Sequence, residues 1–262
     1  MKRNTLQIRS RGGRTNIQLI EMSIFRVNQV SQGNMDRKLL SYYDQEAKRL
    51  CAKYESADMS QIHAWLTEVI PTGSRILELG CGSGREAAFL HSKGYRVLAT
   101  DGSESILREA ISFHPELKGV ISRLTIPDAF PFRDASFESV LSIGVLMHLQ
   151  EKDIQLTVDE VSRVLTASGR FVFSVPVSRD DLDSNGKDGG GRKYTFLSES
   201  RWTELLGAAG LEIVKRRESQ DSLGRAGITW VAYLAKKGSQ QICASDTVLE
   251  CVHAFLGGGK IE

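Results

Sequence analysis

The chain has 262 residues, 25% of them charged and 41% from the AVILMFWYC set, enough for one large globular domain with appendages. This usage excludes disordered, collagen-like, coiled-coil and low-complexity chains, and no apolar run reaches the roughly 18 residues of a membrane-spanning helix. With 34 Lys and Arg against 32 Asp and Glu the formal net charge is +2, so nucleic acid is not indicated by charge.

Residues 1–34 stand apart. Lys2, Arg3, Arg9, Arg11 and Arg14 fall among fourteen residues without an acid. The expectation is a poorly ordered basic extension before a domain starting near Met35; a transit peptide and an ordered arm stay open. From Asp36 to Glu68 the pattern is helical, with Leu39, Leu40, Tyr43, Ala47 and Leu50, then Ile62, Trp65, Leu66 and Val69, at three- and four-residue steps. Pro71, Thr72 and Gly73 break it.

Strands and helices then alternate. Strands are expected at 75–79, 95–100, 120–125, 139–143, 170–175, 211–215 and 228–235, and helices at 85–93, 104–113 (capped by Ser103), 153–165 and 199–209. Such alternation predicts an α/β fold, a three-layer doubly wound Rossmann-like sheet. The last two strands lack a helix between them, which predicts a hairpin and an antiparallel final strand. Residues 239–262 read as a loosely attached helix and tail.

Lys215-Arg216-Arg217, followed at once by Glu218, reads as a solvated strand end or, less simply, a polyanion site. Cys51, Cys81, Cys243 and Cys251 contain no C-x-x-C pair, so zinc and thioredoxin-like sites lack their spacing and no metal is expected. Without a secretory segment at the start, a reduced, cytoplasmic compartment is the expectation.

The strongest motif is Ile76-Leu77-Glu78-Leu79-Gly80-Cys81-Gly82-Ser83-Gly84-Arg85: a hydrophobic strand, a glycine-rich turn, then a helix. Glycines let a ligand approach the backbone beside the free N–H groups of a helix N-terminus, at the position where doubly wound sheets bind ligands. The pattern is E-x-G-x-G-x-G. A dinucleotide fingerprint would need glycine where Arg85 stands. Asp101 ends the next strand, 19 residues beyond Gly82, where a carboxylate can accept both hydroxyls of a ribose.

Here the chain resembles the class I S-adenosylmethionine-dependent methyltransferases, over about Tyr42 to Lys237. The resemblance rests on Glu78-Leu79-Gly80-Cys81-Gly82-Ser83-Gly84, Leu98-Ala99-Thr100-Asp101 and Pro131-Phe132-Arg133-Asp134-Ala135-Ser136-Phe137. It continues through Val140-Leu141-Ser142-Ile143-Gly144-Val145-Leu146-Met147-His148-Leu149 and Arg163-Val164-Leu165-Thr166-Ala167-Ser168-Gly169-Arg170. It implies a seven-stranded sheet with one antiparallel strand, within a domain spanning 35–238 whose N-terminal helices (35–70) form a lid. It also implies S-adenosylmethionine as cofactor. Glu78 and the backbone of Gly80, Cys81, Gly82 and Gly84 would hold the methionine portion, and Asp101 the ribose. Gly102 and Ser103 would lie against the adenosine, and Asp128 is the candidate partner of the adenine amine. Ile143 to Leu146 would pass beside the methionine and open onto the acceptor. Tyr42 and Tyr43 would sit near the cofactor entrance, or simply pack a helix on the sheet.

Methyl transfer from a sulfonium is an in-line displacement with an activated donor, so alignment, worth roughly 7–11 kcal/mol, is the protein's main task. A base matters for a hydroxyl or a protonated amine and much less for a carboxylate or thiolate. His148 is the histidine near a strand's C-terminal end, and it reads as a general base or as a packed, hydrogen-bonded histidine. His63, His91, His114 and His253 read as helix or loop surface. The polar, glycine-rich stretch 179–192 reads as a mobile acceptor-side lid or a plain exposed loop. Arg192 and Lys193 would meet an acidic acceptor, while the neighbouring aspartates would suit a cationic one.

The resulting expectation is a methyltransferase acting on a small-molecule acceptor. An RNA or protein methyltransferase, a non-catalytic cofactor-binding protein and an NAD-linked oxidoreductase are the alternatives. Oligomeric state does not follow from these residues.

Overall fold

A computed structural model describes residues 37–238. The expected 1–34 extension, the 239–262 tail, Cys243, Cys251 and His253 lie outside the described residues. The first elements are helices α1 (Arg37–Glu55) and α2 (Ser60–Val69). Then come β1 (Arg75–Leu79), α3 (Arg85–Ser92), β2 (Arg96–Asp101), α4 (Glu104–Phe113), β3 (Ile121–Arg123) and β4 (Phe137–Ile143). A short 3-10 turn, Leu146–His148, leads to α5 (Glu151–Val164), β5 (Leu165–Arg179), α6 (Glu199–Ala208), β6 (Leu211–Gln220) and β7 (Ile228–Lys237).

The seven strands form one sheet in the order β3-β2-β1-β4-β5-β7-β6. Pairings from β3 to β5 are parallel, and β7 runs antiparallel to both β5 and β6. Strand order reverses at β1, so the C-terminal ends of β1, β2 and β4 border the crevice expected at such a switch point.

The central strands read as unbroken apolar runs because both of their faces are covered. Leu77, Val140, Phe171 and Phe173 point to one side, with Ile154, Val158 and Trp202 of α5 and α6. Ile76, Leu141 and Val172 point to the other, with Trp65, Leu66, Ala87 and Leu90 of α2 and α3. Phe173 is the centre of an aromatic group, its ring 4.8 Å from Phe171, 4.9 Å from Trp202 and 5.1 Å from Tyr233. Farther along, Ala47 and Cys51 of α1 pack on Ile106 of α4, which brings α1 over the crevice.

Several boundaries differ from the sequence reading. β5 runs from Leu165 to Arg179, so Gly169 lies inside the strand instead of ending the preceding helix. β6 reaches Gln220 although its middle is charged. As an edge strand it exposes one side to water, and charge there blocks edge-to-edge association. Lys215-Arg216-Arg217 is therefore strand interior, with Lys215 paired to Glu68 and Arg216 to Glu199. Among the described residues, no helix is long and apolar enough to cross a membrane.

Candidate active site

β1 ends in Glu78 and Leu79, and the chain turns through Gly80 and Gly82, both at positive φ (70° and 55°), into α3. At Gly80 a Cβ atom would stand 2.5 Å from Val145 Cγ2, so the turn and the segment after β4 approach too closely for a side chain. Gly84 has a different reason to be glycine. At φ +83°, its Cβ would meet Leu117 at 2.7 Å and Ala110 at 3.3 Å, on the α4 side of the turn.

At the end of β2, Asp101 accepts the Gly82 N–H (3.2 Å) and the Ser103 N–H (2.9 Å), which ties the two strand ends together. Its pKa is raised to about 6, chiefly by burial, with these backbone donors opposing. Ser103 caps α4 by accepting the Ile106 N–H at 3.1 Å, and its hydroxyl donates to Asp44 of α1 at 2.5 Å. Glu78 is 2% exposed, and its Oε2 has no hydrogen-bond partner among the described residues. Burial first, then the nearby Glu86, pushes its pKa well above the carboxylate range. A buried carboxylate with a bare oxygen is costly unless a cationic donor reaches it.

One cavity joins these groups. Glu78, Gly80, Cys81, Asp101, Gly102, Ile143 and His148 all line it. Gly82, Gly84, Ser103 and Asp128 are not on its wall. Gly82 and Ser103 act through Asp101 instead. Asp128 is buried and accepts the Thr125 hydroxyl, leaving its buried Oδ1 bare, while Leu124 and Ile126 of the same segment do line the cavity. The buried Cys81 thiol is pushed well above its usual pKa by burial and is no thiolate nucleophile.

α1 roofs the cavity. Tyr43 and Tyr54 line it, the Tyr54 ring lies 3.3 Å from where a Gly82 Cβ would be, and Arg85 donates to the Tyr54 carbonyl. His148 Nδ1 faces the Lys193 carbonyl at 3.3 Å and Nε2 faces the Tyr43 hydroxyl at 3.1 Å. A carbonyl only accepts, so Nδ1 carries the proton and Nε2 accepts from Tyr43. Burial, then the Arg192 charge, lowers the His148 pKa to about 4. The 179–192 loop is pinned: Arg192 donates to Tyr43 (3.2 Å), and just beyond the loop the Thr195 N–H donates to the Met147 carbonyl (2.7 Å). His63 and His114, expected at the surface, are both partly buried: His63 stacks on Phe89 at 3.9 Å and His114 meets Glu55 at 3.1 Å.

Sequence reasoning missed Lys53, Asp221, Arg225 and Trp230, which line the far end of the cavity. They come from α1, the β6–β7 turn and β7, and no local motif marks them. Gly224 and Gly227, both at positive φ, were the only signal that this turn is sharply shaped.

With this geometry in view, the comparisons agree. Residues 77–173 match the methyltransferase-domain family. A sarcosine/dimethylglycine N-methyltransferase of Halorhodospira halochloris is 31% identical over 44% of this chain and 42% of its own length. An 18S rRNA (guanine-N(7))-methyltransferase of Schizosaccharomyces pombe is 34% identical over 30% of each. The chain thus spans less than half the length of these curated relatives. The crystal structure of Burkholderia thailandensis 1,6-didemethyltoxoflavin-N1-methyltransferase, with 1,6-didemethyltoxoflavin and S-adenosylhomocysteine bound, superposes with TM-score 0.63. It is 21% identical, over 82% of this chain and 95% of that one. The chain has the class I methyltransferase fold, and the match to the methyltransferase-domain family lies in its residues 77–173.

Proposed function

We propose that the protein is an S-adenosylmethionine-dependent methyltransferase with a small-molecule acceptor. The observation that carries this is the pair of carboxylates, buried Glu78 and partly buried Asp101, facing one cavity from adjacent strand ends across a glycine turn. The residues present fit the cofactor. The bare Oε2 of Glu78 suits the ammonium of the methionine portion, and the close-packed turn at Gly80 lets that portion lie on backbone. Asp101, already oriented by two N–H groups, would accept the ribose hydroxyls, with Gly102 and Ser103 beside the adenosine. Asp128, whose bare Oδ1 lies off the cavity wall, would reach the adenine amine only with a shift of the segment that carries Leu124 and Ile126. When bound, S-adenosylmethionine supplies a methyl group activated by a sulfonium.

The rest falls to this chain's own residues. Ile143, Gly144 and Val145 line the cavity together with Tyr43, Leu50, Lys53 and Tyr54 of α1, and would flank the transferred methyl group. For His148 the geometry favours positioning over proton abstraction, because its Nε2 lone pair already holds Tyr43 in place beneath the roof. A cavity roofed by α1 and the pinned loop favours a small acceptor over a polynucleotide. Arg85 pairs with Glu86 and braces α1, a use of the third-glycine position that a pyrophosphate-binding turn would not tolerate.

Thermal unfolding with S-adenosylhomocysteine, and with NADH for comparison, tests the reading. A native-state ligand at a hundredfold excess over its dissociation constant adds about 2.7 kcal/mol. The expected result is a saturable rise in Tm with S-adenosylhomocysteine alone. No rise, or a larger one with NADH, overturns the assignment.

A further inference from the structure

The cavity is electrically polarised. Its cofactor end is lined by the acids Glu78, Glu86 and Asp101, with Arg85 as their cation. Its far end is lined by Lys53 of α1, Arg179 at the end of β5, Arg192 of the following loop and Arg225 of the β6–β7 turn. Three aspartates hold the three arginines in forks: Asp181 to Arg179 (2.8 and 2.6 Å), Asp188 to Arg192 (2.9 and 2.5 Å) and Asp221 to Arg225 (2.9 and 2.6 Å). A fork fixes a guanidinium in orientation but uses only its Nε and Nη2 donors, so the Nη1 donors remain. Arg192 spends its Nη1 on Tyr43, whereas those of Arg179 and Arg225 make no hydrogen bond to the described residues.

Lys53 has no carboxylate within ion-pair distance among the described residues. Burial, followed by the like charges of Arg225, Arg192 and Arg49, lowers its pKa. Lys53 therefore has no counter-charge of its own, and an anion would supply one. The walls between them are aromatic: Tyr43, Tyr54, Tyr194 and Trp230. Arg179 lies 4.2 Å above the Tyr194 ring, and the Trp230 indole is oriented by donating to Asp221 at 3.0 Å. Flat apolar faces bounded by fixed cations select a flat molecule with an anionic edge.

Resting on the methyltransferase reading, we propose that the acceptor is a planar small molecule bearing a carboxylate or phosphate group, which Lys53 and the free guanidinium edge of Arg225 hold. The two aspartates nearest the site, Asp188 and Asp221, are committed to their arginines, so they do not recruit a cation. A protonated amine would meet the charge of Lys53, which no carboxylate offsets. This resolves the ambiguity of the 179–192 loop in favour of an acidic acceptor.

The experiment is calorimetry on the full chain saturated with S-adenosylhomocysteine, titrated with matched probes. These are 4-hydroxybenzoate against 4-hydroxybenzamide, phenyl phosphate against phenol, and benzylamine. The expected result is that at least one anion binds tenfold or more tighter than its neutral partner, and the better anion identifies the headgroup. Lys53→Gln should weaken that anion about tenfold, roughly the loss of one charge-assisted contact. Lys53→Arg should restore it, with S-adenosylhomocysteine affinity unchanged in both variants. Equal binding of charged and neutral partners, preference for benzylamine, no binding of any probe, or indifference to Lys53→Gln would each overturn the inference. So would a short RNA that outcompetes both anions, which would instead make the cationic end a nucleotide-backbone site. Failure of S-adenosylhomocysteine itself to bind would remove the underlying reading and this one with it. Binding of S-adenosylhomocysteine without anion preference removes only this one.

Discussion

Replacing Glu78 by Gln separates what this carboxylate does to the fold from what it does for a ligand. In the free protein Glu78 is buried with a bare Oε2, and burial together with Glu86 favours its protonated form. Gln has nearly the same shape and no charge to desolvate, so the free variant should melt no lower than the parent. Toward a ligand ammonium the change removes a charge-assisted hydrogen bond, about 1.5–3 kcal/mol or roughly 10- to 150-fold in Kd. At a concentration of S-adenosylhomocysteine that stabilises the parent by about 2.7 kcal/mol, that loss erases most of the shift. For a domain of this size the parent's shift is about 5–11 °C, so the difference is well within a thermal-unfolding assay, with calorimetry giving Kd directly. If Glu78→Gln keeps the full shift and a Kd within about twofold, Glu78 does not hold the ligand's cation, and the assignment of the cofactor end fails.

Two further expectations follow from the same turn. Asp101 has its folded pKa raised to about 6 from the usual 3.8, so the free fold loses stability through this group as pH rises from about 4 to 6. A ligand that needs the carboxylate ionised should bind progressively more weakly below about pH 6. Calorimetry from pH 5 to 8 should show that dependence in the parent and a weaker, pH-flat affinity in Asp101→Asn; an unchanged pH profile in the variant would contradict it. Gly80→Ala places a Cβ 2.5 Å from Val145 at a φ of +70°, which should cost about 2–5 kcal/mol in urea denaturation. Adding Val145→Ala should recover the steric share and leave the backbone share. Full recovery, or no loss in the single variant, would show that the close approach is not what requires glycine there.

The strand end at Glu78, the glycine turn and the start of the next helix were legible because the motif is local. A strand end, a tight turn and a helix start occupy ten consecutive residues, and backbone geometry there admits few residue types. The same holds for the order of strands and helices and for the terminal hairpin, since apolar periodicity and glycine or proline breaks act over short windows. The charged middle of β6 escaped that logic, because an edge strand exposed to water need not alternate. Gly84 was grouped with the ligand-facing glycines, yet its requirement comes from Leu117 and Ala110, residues 26 or more positions away that only packing brings close. His148 could be placed near a strand end, but its protonation and partner depend on Tyr43, 105 residues distant. The cationic end of the cavity depends most on tertiary structure. Lys53, Arg179, Arg192 and Arg225 are far apart in the chain, and only the antiparallel insertion of β7 between β5 and β6, with α1 folded over the crevice, gathers their charges around one cavity. Local sequence determined where a ligand can approach the backbone; long-range packing decided what kind of molecule it can meet there.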